Sequence, residues 1–390
     1  MRHRLYLAWR YLAHHRFKTA ILVTSILLIL YVPAALRVLV RQSEEQLTAR
    51  AAATPLLIGA RGSPLELVLN SLYFGHEVPA RMDYGEVARV ADTGFALPVP
   101  LYVRFRAGKD PIVGTTLDYF DFRGLRLARG RPMARLGDCV LGARVAEERG
   151  LGPGGHLVSA AENVFDLAGV YPLRMRVTGV LERAGNADDL AVFVDVKTAW
   201  VIEGLAHGHG DLADSEVLER GERGAVANAS VVQYNEVTDE NVGSFHFHGD
   251  QATFPITAVL AAPPDHKAAT LLMGRYGAPD ARHQILRPVA VMDELLDTIL
   301  TVEGFVLAAL VLVGAGTLAT AALVFLLSLR LRRREIETMA RIGGSRASIA
   351  WVLASEIVAV LLTSAILAAL LTWITSRVGA EALRSWLYSG

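Results

Sequence analysis

Two histidine-rich segments contain the side chains of this sequence that are best suited to chemistry. HGHGD at residues 207–211 and HFHGD at residues 246–250 share the pattern H-x-H-G-D. In an extended segment, residues i and i+2 point to one side, so each segment can present two imidazoles together. If the segments meet, four histidines would suit zinc, copper or nickel, and the aspartates can add an oxygen ligand or orient an imidazole. The metal candidates are His207, His209, Asp211, His246, His248 and Asp250.

The competing interpretation of these segments is an ordinary solvated loop. Residues 204–249 are rich in Gly, His and Asp, which are common in exposed loops. The repetition of one five-residue pattern favours a metal, whereas a loop explains scattered histidines equally well. Weaker metal candidates are Glu203, Asp214 and His266, while His76 and His283 are isolated in the sequence.

The elements that must position these segments begin with three apolar stretches. Residues 19–36, 304–329 and 357–376 contain no charged side chain. At 1.5 Å per helical residue, each stretch is long enough to cross most or all of a hydrocarbon core of about 30 Å. The apolar stretches also explain a hydrophobic content of 52%. The sequence therefore predicts a multi-pass membrane protein.

The orientation of the spans follows from the basic segment at residues 330–356, between the second and third spans. Its arginines predict that it lies in the cytoplasm, because short basic loops resist translocation. Residues 1–18 are also basic and fit an amphipathic helix on the inner membrane face. A cleaved signal peptide is the alternative for the first span, but its length and its cleavage context favour a retained anchor.

The large region between the first two spans is predicted to be a mixed α+β domain outside the membrane, carried on helices that extend from the spans as a stalk. Cys139 is the only cysteine, so an intrachain disulfide is excluded and a buried structural thiol is expected. The net charge of zero gives no reason to expect a nucleic-acid partner. The predicted segments are an amphipathic helix (1–18), a first span (19–36), a stalk helix (37–54), the outer domain (55–288), a stalk with the second span (289–329), a cytoplasmic coupling segment (330–356), a third span (357–376) and a tail (377–390).

Several motifs, in a fixed order, resemble a known family. They are LAWRYLAHHRFKTAIL (7–22), VGTTLDYF (113–120), GLRLARGR (124–131), VLGARVAEERGLGPGG (140–155) and REIE (334–337) followed by RIGGSR (341–346). Together they resemble the FtsX/MacB/LolC-type permease subunits of ABC transporters, which have a MacB-like extracytoplasmic core domain. That family normally has a fourth span, and we find no counterpart for it after residue 376.

The resemblance implies a role and a set of partners. Family members lack an ATPase, pair with a separate ABC ATPase subunit, and form a homodimer or a heterodimer with a paralogous permease. They lie in the bacterial inner (cytoplasmic) membrane, where the loop between spans two and three docks on the ATPase. ATP-driven closure would then move the outer domain through the stalk. The expected ATPase-coupling residues are Glu335, Ile336, Glu337, Met339, Arg341, Gly343 and Arg346.

The residues themselves agree with a chain that is not an enzyme. The sequence has no G-x-x-x-x-G-K-[ST], no H-E-x-x-H and no G-x-S-x-G, so we expect ATP to act through the partner and no cofactor beyond zinc or copper. The arginines at 332–334 also fit simple orientation and contact with lipid headgroups. The functions left open are export, metal homeostasis, regulation of an extracytoplasmic enzyme or partner protein, and a membrane-anchored metal sensor without an ATPase.

Overall fold

The computed structural model contains two compact units and describes most of the chain. The described residues are 10, 13–14, 16–160, 172–208, 217–221, 224–227, 234–277, 282–331, 333–341 and 345–387. The helical unit comprises Met1–Leu47 and Leu295–Gly390, and the α/β unit comprises Thr48–Glu294. Most of the predicted amphipathic helix at residues 1–18 lies outside the described residues.

Helices of very different length occur in the two units. In chain order the described helices are α1 (Arg16–Ala52), α2 (Pro64–Tyr73), α3 (Gly85–Asp92), α4 (Asp118–Arg123), α5 (Ala143–Arg149), α6 (Val196–Glu203), α7 (His266–Arg275), α8 (Pro288–Leu331), α9 (Arg333–Arg341) and α10 (Arg346–Leu387). Three apolar helical stretches are long enough to span a membrane, which confirms the prediction of three apolar helices. They are Arg16–Gln42, Pro288–Leu331 and Ala354–Gly379.

The α/β unit is built on a mixed sheet, as the mixed α+β prediction required. The strands are β1 (Leu56–Ala60), β2 (Met82–Asp83), β3 (Leu97–Ala107), β4 (Asp110–Thr115), β5 (Leu127–Gly130), β6 (Asp138–Leu141), β7 (His156–Val158), β8 (Arg174–Leu181), β9 (Val192–Asp195), β10 (Ala206–His207), β11 (Val217–Gly221), β12 (Gly224–Ala227), β13 (His246–Phe247), β14 (Pro255–Ile256), β15 (Ala258–Ala262) and β16 (His283–Leu286). The main sheet has the order β16-β1-β15-β3-β4-β9-β6-β8-β5, with β7 beside β8. Among the described strands of this sheet, the β4–β9 and β6–β8 pairs are parallel and the others are antiparallel.

Local sequence signals explain several of these elements. Ser63 caps α2 by accepting from the Glu66 amide, with Pro64 in the first turn as the sequence predicts. The sequence also predicts helices over residues 143–149 and 196–203, and α5 and α6 have these bounds. The apolar runs at residues 95–98 and 101–105 predict two short strands, but the structure has one strand there, β3. Pro100 is tolerated there because the β3–β4 ladder begins only at Tyr102, so no strand partner on that side requires the N–H that proline lacks. The Pro100 carbonyl accepts from the Thr115 hydroxyl.

The core of the α/β unit contains large side chains with almost no exposure, among them Trp200, Tyr102 and Phe193. Phe193 lies on β9 and contacts the ring of Phe74 edge-on at a centroid distance of 6.3 Å. Cys139 is buried and is not in a disulfide, which confirms the predicted structural thiol. Burial raises the pKa of this thiol well above its ordinary value, so the uncharged form persists at neutral pH.

A buried ionic network joins the last turn of α1 to the rest of the α/β unit. The guanidinium of Arg50 donates to both carboxylate oxygens of Asp188, each at 2.7 Å. The Tyr119 hydroxyl lies 2.8 Å from both Arg50 and Asp188 and donates to the carboxylate. Arg50 also donates to the Leu72 carbonyl, and its guanidinium lies 5.4 Å from the centre of the Phe74 ring. Each nitrogen of the Arg50 guanidinium therefore has a hydrogen-bond partner, and both carboxylate oxygens of Asp188 accept a hydrogen bond.

The network has a predictable dependence on pH. Burial alone raises the pKa of Asp188, but the charge and hydrogen bonds of Arg50 and Tyr119 outweigh it and hold that pKa below its ordinary value. A carboxyl group with a depressed pKa contributes stability above its unfolded pKa of about 3.9 and loses that contribution as the pH falls through the folded pKa. We therefore expect wild-type protein to lose more stability than Asp188→Asn in thermal unfolding between about pH 5 and pH 2. Parallel curves for the two proteins would contradict the assignment.

Candidate functional site

The two histidine segments meet as a short antiparallel strand pair. Strand β10 pairs with β13, and His207 lies directly opposite His246. The pairing extends one residue further, because the His248 amide donates to the Leu205 carbonyl at 3.2 Å. Side chains directly opposite each other in such a pair project from the same face. The backbone alone therefore places His207 beside His246, and His248 two residues further along the same face.

Three imidazoles form a compact group on that face. The ring centres of His207 and His246 are 5.0 Å apart, and His248 lies 4.7 Å from each of them. One nitrogen from each ring can be chosen so that the nitrogens lie within 4.8 Å of one another. His207 is half-buried and the other two are exposed. The structure thus brings together three of the histidines that the sequence pattern predicts as metal ligands.

The opposite face of the strand pair is anchored to the core by aromatic residues. Phe245 and Phe247 alternate with the histidines and pack against the hydrophobic core. The Phe247 ring meets the buried Trp200 edge-on at a centroid distance of 6.3 Å. Phe245 packs so closely on Gly208 that a Cβ atom there would come within 2.6 Å of the ring. The glycine of the first segment is therefore required by packing.

One imidazole of the group is oriented by the backbone. Nδ1 of His246 lies 3.0 Å from the Ser244 carbonyl oxygen. Because a carbonyl oxygen only accepts, Nδ1 must carry the hydrogen, and in a neutral ring Nε2 then carries the lone pair. Ligand histidines in metal sites commonly donate their second nitrogen to a carbonyl in this way.

Of the remaining predicted metal ligands, the structure describes Asp250. Asp250 is not part of the three-histidine group: it caps the turn at Gln251–Thr253, and its Oδ1 accepts from the Ala252 amide. Gly249 before it has a φ of 104°, which favours glycine. In this segment the G-D of the pattern therefore makes a turn and a cap. His209 and Asp211 lie outside the described residues, as does Asp214.

The weaker candidates Glu203 and His266, and the isolated His283, have contacts elsewhere. Glu203 accepts from the Tyr102 hydroxyl at 2.7 Å and pairs with Arg81. His283 lies 3.4 Å from a carboxylate oxygen of the buried Glu86. His266 begins α7, and its carbonyl accepts from Thr270. None of the three belongs to the histidine group.

The predicted coupling segment contains a short charged helix, α9. Arg333 pairs with Glu337 one turn later, at 3.2 Å, and both are largely exposed. Ile336 is half-buried, and Arg341 ends the helix and is exposed. Glu335 and Met339 lie within α9, and Arg346 begins α10. Gly343, the predicted helix stop, lies outside the described residues.

Two structural features, strand β13 and the buried Arg50–Asp188 pair, were not predicted from the sequence. The alternation F-H-F-H at 245–248 is a strand signal that could have been recognised from its period of two. Arg50 gave no such signal, because one arginine in a polar helix gives no indication that it is buried. Its partner Asp188 follows it by 138 positions, so only the folded chain identifies the pair.

The sequence of this chain is similar to that of a known family of periplasmic domains. A family model described as the MacB-like periplasmic core domain matches residues 20–240, which is more than half of the chain. The periplasmic region of MacB from Actinobacillus actinomycetemcomitans is similar over 62% of this chain and 92% of its own, with 12% identity and a TM-score of 0.33. The extracellular domain of the noncanonic ABC-type transporter YknZ from Gram-positive bacteria is similar over 60% and 99%, with 13% identity and a TM-score of 0.33. No curated protein sequence matches significantly.

Proposed function

This chain belongs to the family that has the MacB-like periplasmic core domain, and from this premise we propose that it transmits the movement of a separate ABC ATPase to its α/β unit. Membership supports an ABC transporter permease-type role in a membrane, with an extracellular domain and, in general, an ABC ATPase partner. The finer proposal concerns how the subunit works. Movement would pass along helices into the α/β unit, with no substrate passing between the spans. A homodimer or a heterodimer with a paralogous permease, in the bacterial inner membrane, is part of the same proposal.

The observation that supports mechanical transmission most directly is the length and continuity of two helices. Helix α1 runs from Arg16 to Ala52 and α8 from Pro288 to Leu331. At 1.5 Å per residue these are about 55 and 66 Å long, roughly twice the hydrocarbon thickness of a bilayer. Each begins in one compact unit and ends in the other. Apart from the one hydrogen bond that Pro33 removes from α1, each helix is continuous, so a displacement at one end is expected to be carried along its axis.

The proposed contact with the ATPase is α9. Its described charged side chains are exposed, and Ile336 is the half-buried apolar residue among them. In the sequence, Met339 and Ala340 follow Ile336 at spacings of three and four, which is the spacing that predicts an apolar stripe on a helix. A helix of this kind suits docking into a groove of a partner protein, with apolar anchors at helical spacing. The orientation of the spans in the membrane depends on the positive charges alone, so it does not explain the apolar residue.

This contact is testable through the ATPase that co-purifies with the full chain from native membranes. We expect Ile336→Asp to reduce the recovered ATP hydrolysis at least about tenfold, since a charge at the centre of an apolar contact costs several kcal/mol. Thr338→Ala, in the same helix, is the matched control and should retain the activity. If wild type and Ile336→Asp recover equal ATP hydrolysis, α9 is not part of the contact with the ATPase.

A second candidate function is a membrane-anchored metal sensor without an ATPase, which the three-histidine group favours. It predicts that no ATP hydrolysis accompanies the wild-type chain in the same purification. Regulation of an extracytoplasmic enzyme would retain the ATPase. It would instead be recognised by an extracytoplasmic partner whose activity changes when ATP is hydrolysed.

A further inference from the structure

We propose that His207, His246 and His248 bind one divalent transition-metal ion on the exposed face of the β10–β13 strand pair. The inference rests on the geometry of these side chains and does not depend on the ATPase contact. It goes beyond a permease-type role, because coupling to an ATPase requires no metal in the α/β unit.

The strand pair fixes the positions from which the imidazoles project. Histidine nitrogens bound to zinc lie about 2.0–2.1 Å from the ion, so two ligands of a tetrahedral site are roughly 3.3 Å apart. The three nitrogens here already lie within 4.8 Å of one another. To reach the spacing of a tetrahedral site, each nitrogen must move by about 1 Å toward the centre of the group. Small rotations of the side chains are sufficient for this movement. The backbone can stay as it is.

The support behind the histidines resembles the support that metal ligands need. Phe245 and Phe247 hold the strand against the core, so His246 and His248 project from a rigid element. The hydrogen bond from His246 Nδ1 to the Ser244 carbonyl fixes that ring and leaves Nε2 as the donor to a metal. A ligand that is already oriented loses less conformational entropy when it binds.

The chemistry of the donor set selects the class of ion. Three imidazole nitrogens suit zinc, copper or nickel, whereas calcium and magnesium require oxygen donors. Asp250 is occupied as a turn cap, so the group in the described structure supplies nitrogen only. Three protein ligands leave a fourth tetrahedral position for water or an outside ligand. Because His246 and His248 are exposed, an ion can enter directly from solvent.

The test is metal binding to the full chain in detergent, purified through an affinity tag that contains no histidine. Zn²⁺ is titrated calorimetrically, and Co²⁺ is followed by its visible absorption. We expect one ion per chain with micromolar or tighter affinity, and tetrahedral Co²⁺ absorption that Zn²⁺ displaces. His248→Ala should weaken binding at least about tenfold, because it removes one of three ligands.

The controls separate a specific site from general histidine binding. His76→Ala removes an exposed histidine of the same unit outside the group and should leave the affinity unchanged. His248→Gln keeps a polar side chain on the strand, and its thermal unfolding is compared with wild type to show that the fold is intact. If His248→Gln, correctly folded, binds Zn²⁺ as tightly as wild type, or if wild type binds no Zn²⁺ stoichiometrically, the proposal is wrong.

Discussion

Replacing Arg50 with alanine is expected to lower the free energy of unfolding of the α/β unit by about 3–5 kcal/mol. Asp188 would remain buried without the cation that it contacts, and the Tyr119 hydroxyl would lose one of its hydrogen-bond partners. The Leu72 carbonyl would also lose a donor. Removing one member of a buried ion pair costs far more than the pair itself contributes, because the remaining charge cannot return to water.

Hydrogen exchange of the full chain measures this loss within the α/β unit. Peptides covering β6 and β9 should show opening free energies reduced by about 3–5 kcal/mol in Arg50→Ala. Arg183→Ala is the matched control, since its ion pair with Glu147 is exposed on both sides and should change stability by no more than about 1 kcal/mol. Equal protection in the two variants would show that the buried network contributes no special stability.

The same substitution bears on the proposed transmission of movement. Arg50 lies in the last turn of α1, and its partners belong to the α/β unit. If a displacement of α1 is transmitted to the sheet, this buried network is the contact through which we expect it to pass. We therefore regard Arg50 as a positioning residue for the proposed function.

Replacing Trp200 with alanine is the second change with a large expected effect, about 3–5 kcal/mol of stability. Trp200 is fully buried, and its ring contacts Tyr84, Phe247 and Phe254 edge-on. Its indole nitrogen donates to the Pro255 carbonyl at 2.9 Å. Alanine would leave a cavity and an unsatisfied acceptor together. It would also remove the ring against which Phe247 of β13 packs.

The measurement combines stability with metal binding. Hydrogen exchange should show reduced protection in α6 and β13, and Zn²⁺ affinity should fall because Phe247 loses its support. Trp200→Phe, which keeps most of the volume, should cost less than the alanine variant. Val158→Ala on the exposed side of β7 should have little effect. A Trp200→Ala protein with wild-type protection in β13 would contradict the packing argument.

The sequence determined the features that depend on near neighbours in the chain. Apolar length alone identified three helices that can cross a membrane. Local capping and turn signals set the start of α2 at Pro64 and the bounds of α5 and α6. The H-x-H spacing predicted that His246 and His248 share one face, because side chains alternate in any extended strand. These outcomes follow from backbone geometry within a few residues.

Tertiary structure decided what depends on distant residues. His207 meets His246 only because β10 pairs with β13, and that register is set by Phe245 and Phe247 packing against the core. Asp250 was predicted as a ligand, but the turn after β13 uses it as a cap. Arg50 pairs with Asp188, which is distant from it in sequence, because a buried charge must be paired. Packing and desolvation act between elements that are far apart in sequence, so a local pattern predicts which residues can do chemistry but not which of them meet.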